Sequence, residues 1–343
     1  GEGIRWGERL LTLVDANTHC LLAAWVCSTI SLLATGLDDF DRGLRCGQQA
    51  LDVADELHNV DLRAHVVQAL VTHLYCRGDF QQARQLVQET LTQVLNESHD
   101  AWTLANLYYL SIRVCEDGEQ ARHYWTQGEP IANKVGDRWL MAVFVCIQEH
   151  SALEAGELSR GIELCQQYHQ FGIALQDTRF ILFSLLDLAG YAYRQADYDL
   201  ANSYCKQGFV KAIQTGTPGM IASFLNLQGH IAYHCGRSHE ALSLYAQAIY
   251  WIKDLNHNFF LAVTLPAIAR VVAERGHVAD SMRLIGVAEA LYPLEQLDYD
   301  PDLQPIVQAA HANMNSPDHA SAWDMGKRMS VNETIEYALG LCN

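Results

Sequence analysis

His230 and His234 stand four residues apart, with Cys235 and His239 close behind them. On a helix this spacing puts two imidazoles on one face, as in the H-E-x-x-H motifs that hold zinc. Here no glutamate follows His230, the four residues straddle a helix end, and the chain has 15 histidines, so chance clustering explains the group better than a metal. The sequence calls for no metal and no cofactor. Nucleophilic catalysis has as little support: there is no G-x-S-x-G elbow, and His19-Cys20 and His234-Cys235 are neighbours in sequence only. Such cysteines are more often buried packing residues. The sole Gly-Lys pair, Gly326-Lys327, runs on to Arg328 without the glycines of a phosphate-binding loop. No enzyme is expected.

Binding is the chemistry the chain does offer. Three columns of residues lie ten, six and three places ahead of a recurrent turn. They hold Gln68, Asn106 and Asn226; His150, His230 and Arg270; and Tyr75, Arg113, Tyr193 and Tyr233. Amides, tyrosines, histidines and two arginines on one wall suit a small polar ligand or an extended peptide. The competing account is that these side chains are solvated or satisfy neighbouring helix ends.

The elements that position them come from the turns themselves. The turn falls at Asp38, Gly78, Glu116, Gly156, Ala196, Gly236 and Gly276, at intervals of 38 to 40 residues. Five residues later stand Gly43, Ala83, Ala121, Gly161, Ala201, Ala241 and Ser281, all small. Directly after the turn come Asp39, Asp79, Asp117, Glu157 and Asp197, acids suited to capping a helix start, and then Arg237 and His277. In the best copy, Leu225 to Ala248, the residues Gly229, Ala232, Gly236, Ala241, Tyr245 and Ala248 fall where crossing helices need small or flat side chains. A fixed period with a fixed small-residue column marks stacked helical hairpins. This pattern resembles tetratricopeptide repeats (TPRs), with a period longer than their usual ~34 residues. The resemblance implies a right-handed superhelical solenoid whose first helices line a concave groove, which would hold the three columns.

First helices are expected at about 18–36, 61–77, 99–115, 137–155, 177–195, 217–235 and 257–275. Second helices are expected at about 39–57, 80–95, 118–135, 158–174, 198–214, 238–254 and 278–291. Residues 1–15 read as the second helix of a truncated repeat, with Ile4, Leu10, Leu11 and Val14 as its stripe. The chain then looks like a piece of something longer. After Leu291 the period stops, so the expected division is a repeat array over 1–291 and capping helices over 292–343. Asp300-Pro301 reads as a cap and first-turn proline for a helix to about Asn315. Ser316-Pro317 starts another, ending near Gly326. Ser330 and Glu333 form a capping box for the last, through Ala338.

Composition bounds the partners. A hydrophobic content of 50% suffices for a core, and seven prolines argue against disorder. The net charge of −17 opposes nucleic acid and anionic membranes alike. No apolar run reaches membrane-spanning length; Cys20 to Gly36 comes nearest and sits in register as a repeat helix. Ten cysteines without a C-x-x-C pair read as reduced thiols in a cytoplasmic protein. An exposed first repeat offers end-to-end contacts, which leaves the oligomeric state open.

The tail carries a second resemblance. Leu284, Gly286, Ala288, Glu289 and Ala290, then Trp323, Gly326, Met329, Ser330, Glu333 and Ala338, resemble the carboxy-terminal end of large bacterial signal-transduction ATPases, among them regulators of the maltose-activator and LuxR kind. That resemblance implies a sensor: a repeat domain that binds an inducer or partner protein and thereby controls an attached ATPase or transcription-regulator module. The alternative is a free-standing adaptor for protein–protein interaction.

Overall fold

A computed structural model describes residues 2–13, 20–37, 39–97, 100–115, 117–255, 258–292, 294 and 302–342. Every regular element among them longer than a single turn is an α-helix. The chain falls into two compact units. Unit 1 comprises residues 1–152 with 170–177, and unit 2 comprises 153–169 with 178–343.

Unit 1 opens with α1 (Glu2–Leu13). Three hairpins follow: α2 (Cys20–Thr35) with α3 (Phe40–Glu56), α4 (Val60–Arg77) with α5 (Phe80–Glu97), and α6 (Ala101–Val114) with α7 (Gly118–Val135). Next comes α8 (Arg138–Glu154), and then α9 (Leu158–Leu175), whose residues divide between the units. Unit 2 continues with α10 (Thr178–Arg194) and α11 (Tyr198–Thr215), α12 (Pro218–His234) and α13 (Ser238–Ile252), and α14 (Asn258–Glu274) and α15 (Val278–Leu291). Three helices complete it: α16 (Leu303–Ala312), α17 (Pro317–Lys327) and α18 (Val331–Cys342). These boundaries fall within about three residues of those expected for every repeat helix, because each is fixed by local chemistry.

The turn residues show that chemistry. Gly78, Gly156, Gly236 and Gly276 all take positive φ, between 73° and 88°. At Gly236, the amide of Arg237 bonds to the Ala232 carbonyl and that of Gly236 to the Tyr233 carbonyl, which satisfies the end of α12. Ala196 adopts the same left-handed turn at φ 58° despite its Cβ. Three of the five acids cap the helix that follows: Asp39, Asp117 and Asp197 each accept an amide of its first turn. A second left-handed register closes the second helices, at His58, Gly136, Gln176 and Gly216, and the repeat pattern had not singled it out.

In each unit successive first helices lie side by side, α2 against α4 and α4 against α6, and α10 against α12 and α12 against α14. The small column explains how the next hairpin docks. A Cβ on Gly43 would run into the His73 ring, and one on Gly161 into Tyr191, so this position faces the first helix of the following repeat. Ala83, Ala201 and Ala241 at the same place are fully buried. Within the hairpin of α12 and α13, Gly229 gives way to the ring of Tyr245, itself fully buried.

Two expectations for the ends need correction. In α1, Ile4 is buried but Leu10 is 49% exposed; the packed stripe runs through Ile4 and Leu11, and Gly7 lets Ile30 approach. Val14 lies outside the described residues. So does the Asp300-Pro301 cap; the helix begins later, with Asp302 as its N-cap, and ends at Ala312. The capping box is present: Glu333 Oε2 accepts the Ser330 amide at 2.8 Å, and Ser330 Oγ accepts the Glu333 amide at 3.3 Å. Here α17 packs on α15, and α18 packs on α13, α14 and α15.

Candidate functional site

The expected binding residues divide between the units. In unit 1, Tyr75 on α4 and Arg113 on α6 meet: the guanidinium lies 5.6 Å over the Tyr75 ring and 5.8 Å over that of Tyr109. Arg113 Nη1 also donates to Thr72 Oγ1 at 3.3 Å. Gln68 is half-buried on the same face of α4 as Thr72, one turn earlier. Asn106 is buried, and its Oδ1 finds no hydrogen-bond partner. It lines a recess of about 220 Å³ with Trp25, His65, Asp61, Asp100 and Trp102. His150 stands apart and exposed on α8, beside Cys146 (3.9 Å) and Glu149 (3.7 Å). That trio has metal-like spacing among the described residues, yet offers one donor fewer than a closed zinc site takes.

In unit 2 the expected residues converge. Tyr193 comes from α10, Asn226, His230 and Tyr233 from α12, and Arg270 from α14. Asn226 Nδ2 sits 3.3 Å from His230 Nε2, and Arg270 Nη2 lies 3.1 Å from His230 Nδ1. The guanidinium stacks 3.8 Å over the Tyr233 ring, whose hydroxyl donates to Glu274. Burial, followed by that bond to Glu274, pushes the Tyr233 phenol up to about 12. Tyr193 and Tyr198 flank His234, the latter stacked at 6.1 Å.

At the centre stands a residue the repeat pattern had no means of finding. Asp302 Oδ2 accepts from Tyr193 OH at 2.5 Å, Arg270 Nη1 at 2.7 Å and His234 Nε2 at 3.0 Å, and lies 3.3 Å from His230 Nδ1. Burial alone would raise the Asp302 carboxyl; hydrogen bonds from His230, Tyr193 and Arg270 outweigh it and hold the group far below the usual carboxylate range. His230 and His234 therefore address a carboxylate. His239 meets Arg275 at 3.3 Å and Cys235 is exposed, so the histidine cluster does not gather as metal ligands. The one sequence signal for Asp302 was an acid beside a proline-initiated helix, which reads as an ordinary cap.

No helix among the described residues is long and apolar enough to cross a membrane. No protein-family model matches the chain, and no curated protein matches it. Solved structures do. A STAND signal-transduction ATPase with a TPR sensor, from Pyrococcus horikoshii, aligns with 99% of this chain at 13% identity and TM-score 0.53. The chain spans about half of that protein, 51% of its length. A Rap protein complexed with Competence and Sporulation Factor aligns with 93% of this chain and 99% of its own, at 12% identity and TM-score 0.58. The APC/C hetero-tetramer Cut9–Hcn1 aligns over 94% of this chain and 58% of its own, at 16% identity and TM-score 0.58. Likenesses at such identities speak for the fold. In fold the chain is an all-α repeat solenoid of the tetratricopeptide kind.

Proposed function

We propose that the chain is a non-catalytic sensor domain: the first-helix face binds a small effector or a partner protein, and binding controls an attached module of the signal-transduction ATPase or transcription-regulator type. The observation that carries this reading is the meeting of Tyr193, His230, Tyr233 and Arg270, from three successive first helices, at one point. Repeats 40 residues apart bring these polar groups together on one face. In unit 1, taken by itself, the proposed binding residues are Gln68, Tyr75, Asn106, Arg113 and His150. Residues 1–291 would be the sensing array and 292–343 its cap, in a bacterial, cytoplasmic protein that makes no direct contact with nucleic acid or membrane. A ligand that prefers one arrangement of the repeats would shift the population and so the output.

The alternative is a free-standing adaptor that binds a partner protein, favoured by the alignment over 99% of the Rap chain. Native mass spectrometry of the purified chain, with thermal shift across a metabolite and nucleotide panel, separates them. Binding to the folded state raises the melting temperature by mass action. A retained small molecule, lost in Arg113→Ala or Arg270→Ala, supports the sensor. A bare mass and a flat panel overturn the small-molecule reading in favour of the adaptor.

A further inference from the structure

Asp302 reaches the first-helix face of unit 2 as a ligand would. It belongs to no repeat, yet its Oδ2 is surrounded by Tyr193, His234, Arg270 and His230 from α10, α12 and α14. An aspartate at a helix N-cap ordinarily accepts the amides of its own first turn. Asp302 precedes α16 and makes no side-chain cap bond there, so its carboxylate serves the repeats at the expense of its own helix. The receiving groups are set independently of it. Arg270 is clamped over Tyr233, Tyr233 is tied to Glu274, and His230 is buried against the Tyr245 ring. One donor is still left over: Arg270 Nε is buried and has no hydrogen-bond partner. A guanidinium fork meets a carboxylate best through two parallel bonds, and Asp302 takes one of them.

We propose that Tyr193, His230, His234 and Arg270 form a carboxylate-binding site, that Asp302 is its resident internal occupant, and that the carboxylate of an incoming ligand displaces it. This deepens the sensor reading and rests on the repeat face being the binding face. The internal carboxylate competes at the high effective concentration of a tethered group, so an external acid must add contacts along the repeats to win. Displacement frees the start of α16, which packs on α14 and α15, and so converts occupancy into a change at the carboxy-terminal helices.

The test uses the full chain as wild type, Asp302→Ala and Asp302→Ala/Arg270→Gln. Melting temperature is read in sodium acetate or succinate against sodium chloride at matched ionic strength. It is also read with the peptide acetyl-Gly-Asp-Gly-amide against its Asn counterpart. Asp302→Ala should gain several degrees from carboxylates over the controls, the wild type much less, and the double variant nothing. A response to acetate and succinate identifies free acids as the source; one confined to the Asp peptide identifies a partner's side chain. An Asp302→Ala protein that responds no more than it does to chloride and the Asn peptide overturns the proposal. Should Asp302→Ala fail to fold, amide exchange of Asp302→Asn replaces it: α16 must lose protection at least tenfold more than α12 and α14 do, and an equal loss in all three helices, or none in α16, sinks the idea. Native mass spectrometry keeps the two readings apart. A molecule retained regardless of Asp302 and Arg270 leaves the binding face standing and removes the carboxylate site alone.

Discussion

Gly286 on α15 and Gly326 on α17 cross backbone to backbone: a Cβ at Gly286 would strike the Trp323 carbonyl oxygen, and one at Gly326 the Arg283 carbonyl oxygen. Neither obstacle is a side chain that could swing aside. Alanine in a helix interior normally stabilises by about 1 kcal/mol relative to glycine. Here the sign reverses, and Gly286→Ala or Gly326→Ala should cost about 1–3 kcal/mol by overpacking. Gly190, inside α10 with nothing near its missing Cβ, is the control, and Gly190→Ala should follow the ordinary rule. Chemical denaturation of the three variants decides it; a stable Gly326→Ala protein would contradict the crossing.

Ala196 occupies the left-handed turn that glycine fills at Gly156, Gly236 and Gly276. A left-handed non-glycine residue costs roughly 1–2 kcal/mol, and glycine returns roughly 0.4–1 kcal/mol of that through the entropy of the unfolded chain. Ala196→Gly should therefore raise the melting temperature slightly, by about one to four degrees. Gly236→Ala should lower it. A drop in both would mean that the turn at 196 is packed for its methyl group.

The helices were legible because they are specified locally. Turn residues, caps and the small column each act over a few positions, and their period set every repeat boundary. The meeting of Tyr193, His230, Tyr233 and Arg270 followed from the same period. Asp302 did not, since its partners lie 32 to 109 residues away and nothing in its neighbours marks a long-range bond. Arg63 was hidden for the same reason. It is buried on α4 and held by Asp55 and Glu89, with Thr90 Oγ1 at 3.0 Å, yet a lone arginine among Leu62, Ala64 and Val66 shows no partner in sequence. Leu10 failed differently: periodicity names a face, and the width of the neighbouring helix decides how much of it is covered.

The Asp302 carboxyl makes part of the stability depend on acid. Its folded value lies well below the unfolded value of about 3.9, so its contribution is complete above that pH and is lost as the pH falls below it. Removing one partner of a buried pair costs about 3 kcal/mol, which sets the expected gap between wild type and Asp302→Asn at neutral pH. The groups that face it, Tyr193, His230, His234, Tyr233, Arg270 and Glu274, are the same in both proteins. Below pH ~4 the gap should narrow by about 1.4 kcal/mol per unit. Urea melts of the pair between pH 5 and pH 3 give the slope; a flat gap would show that the carboxylate is not held down.

Cys46 should be the chain's most reactive half-buried thiol. A hydrogen bond with Cys27 lowers it to about 7, against burial, which raises it, and with help from Arg45 and Arg42. Cys27 moves the opposite way, pushed up first by the same bond and then by burial. Cys205 and Cys342 are pushed up to about 12 by burial. Since the thiolate is the nucleophile, alkylation of Cys46 should rise through a midpoint near pH 7 while Cys27, Cys205 and Cys342 stay unmodified in the folded protein. Mass mapping after brief iodoacetamide treatment resolves each site from the exposed Cys20 and Cys235. In Cys27→Ala the donor is gone, and with burial and the two arginines unchanged the midpoint must move upward. A midpoint that stays near 7 would assign the effect to Arg42 and Arg45 instead.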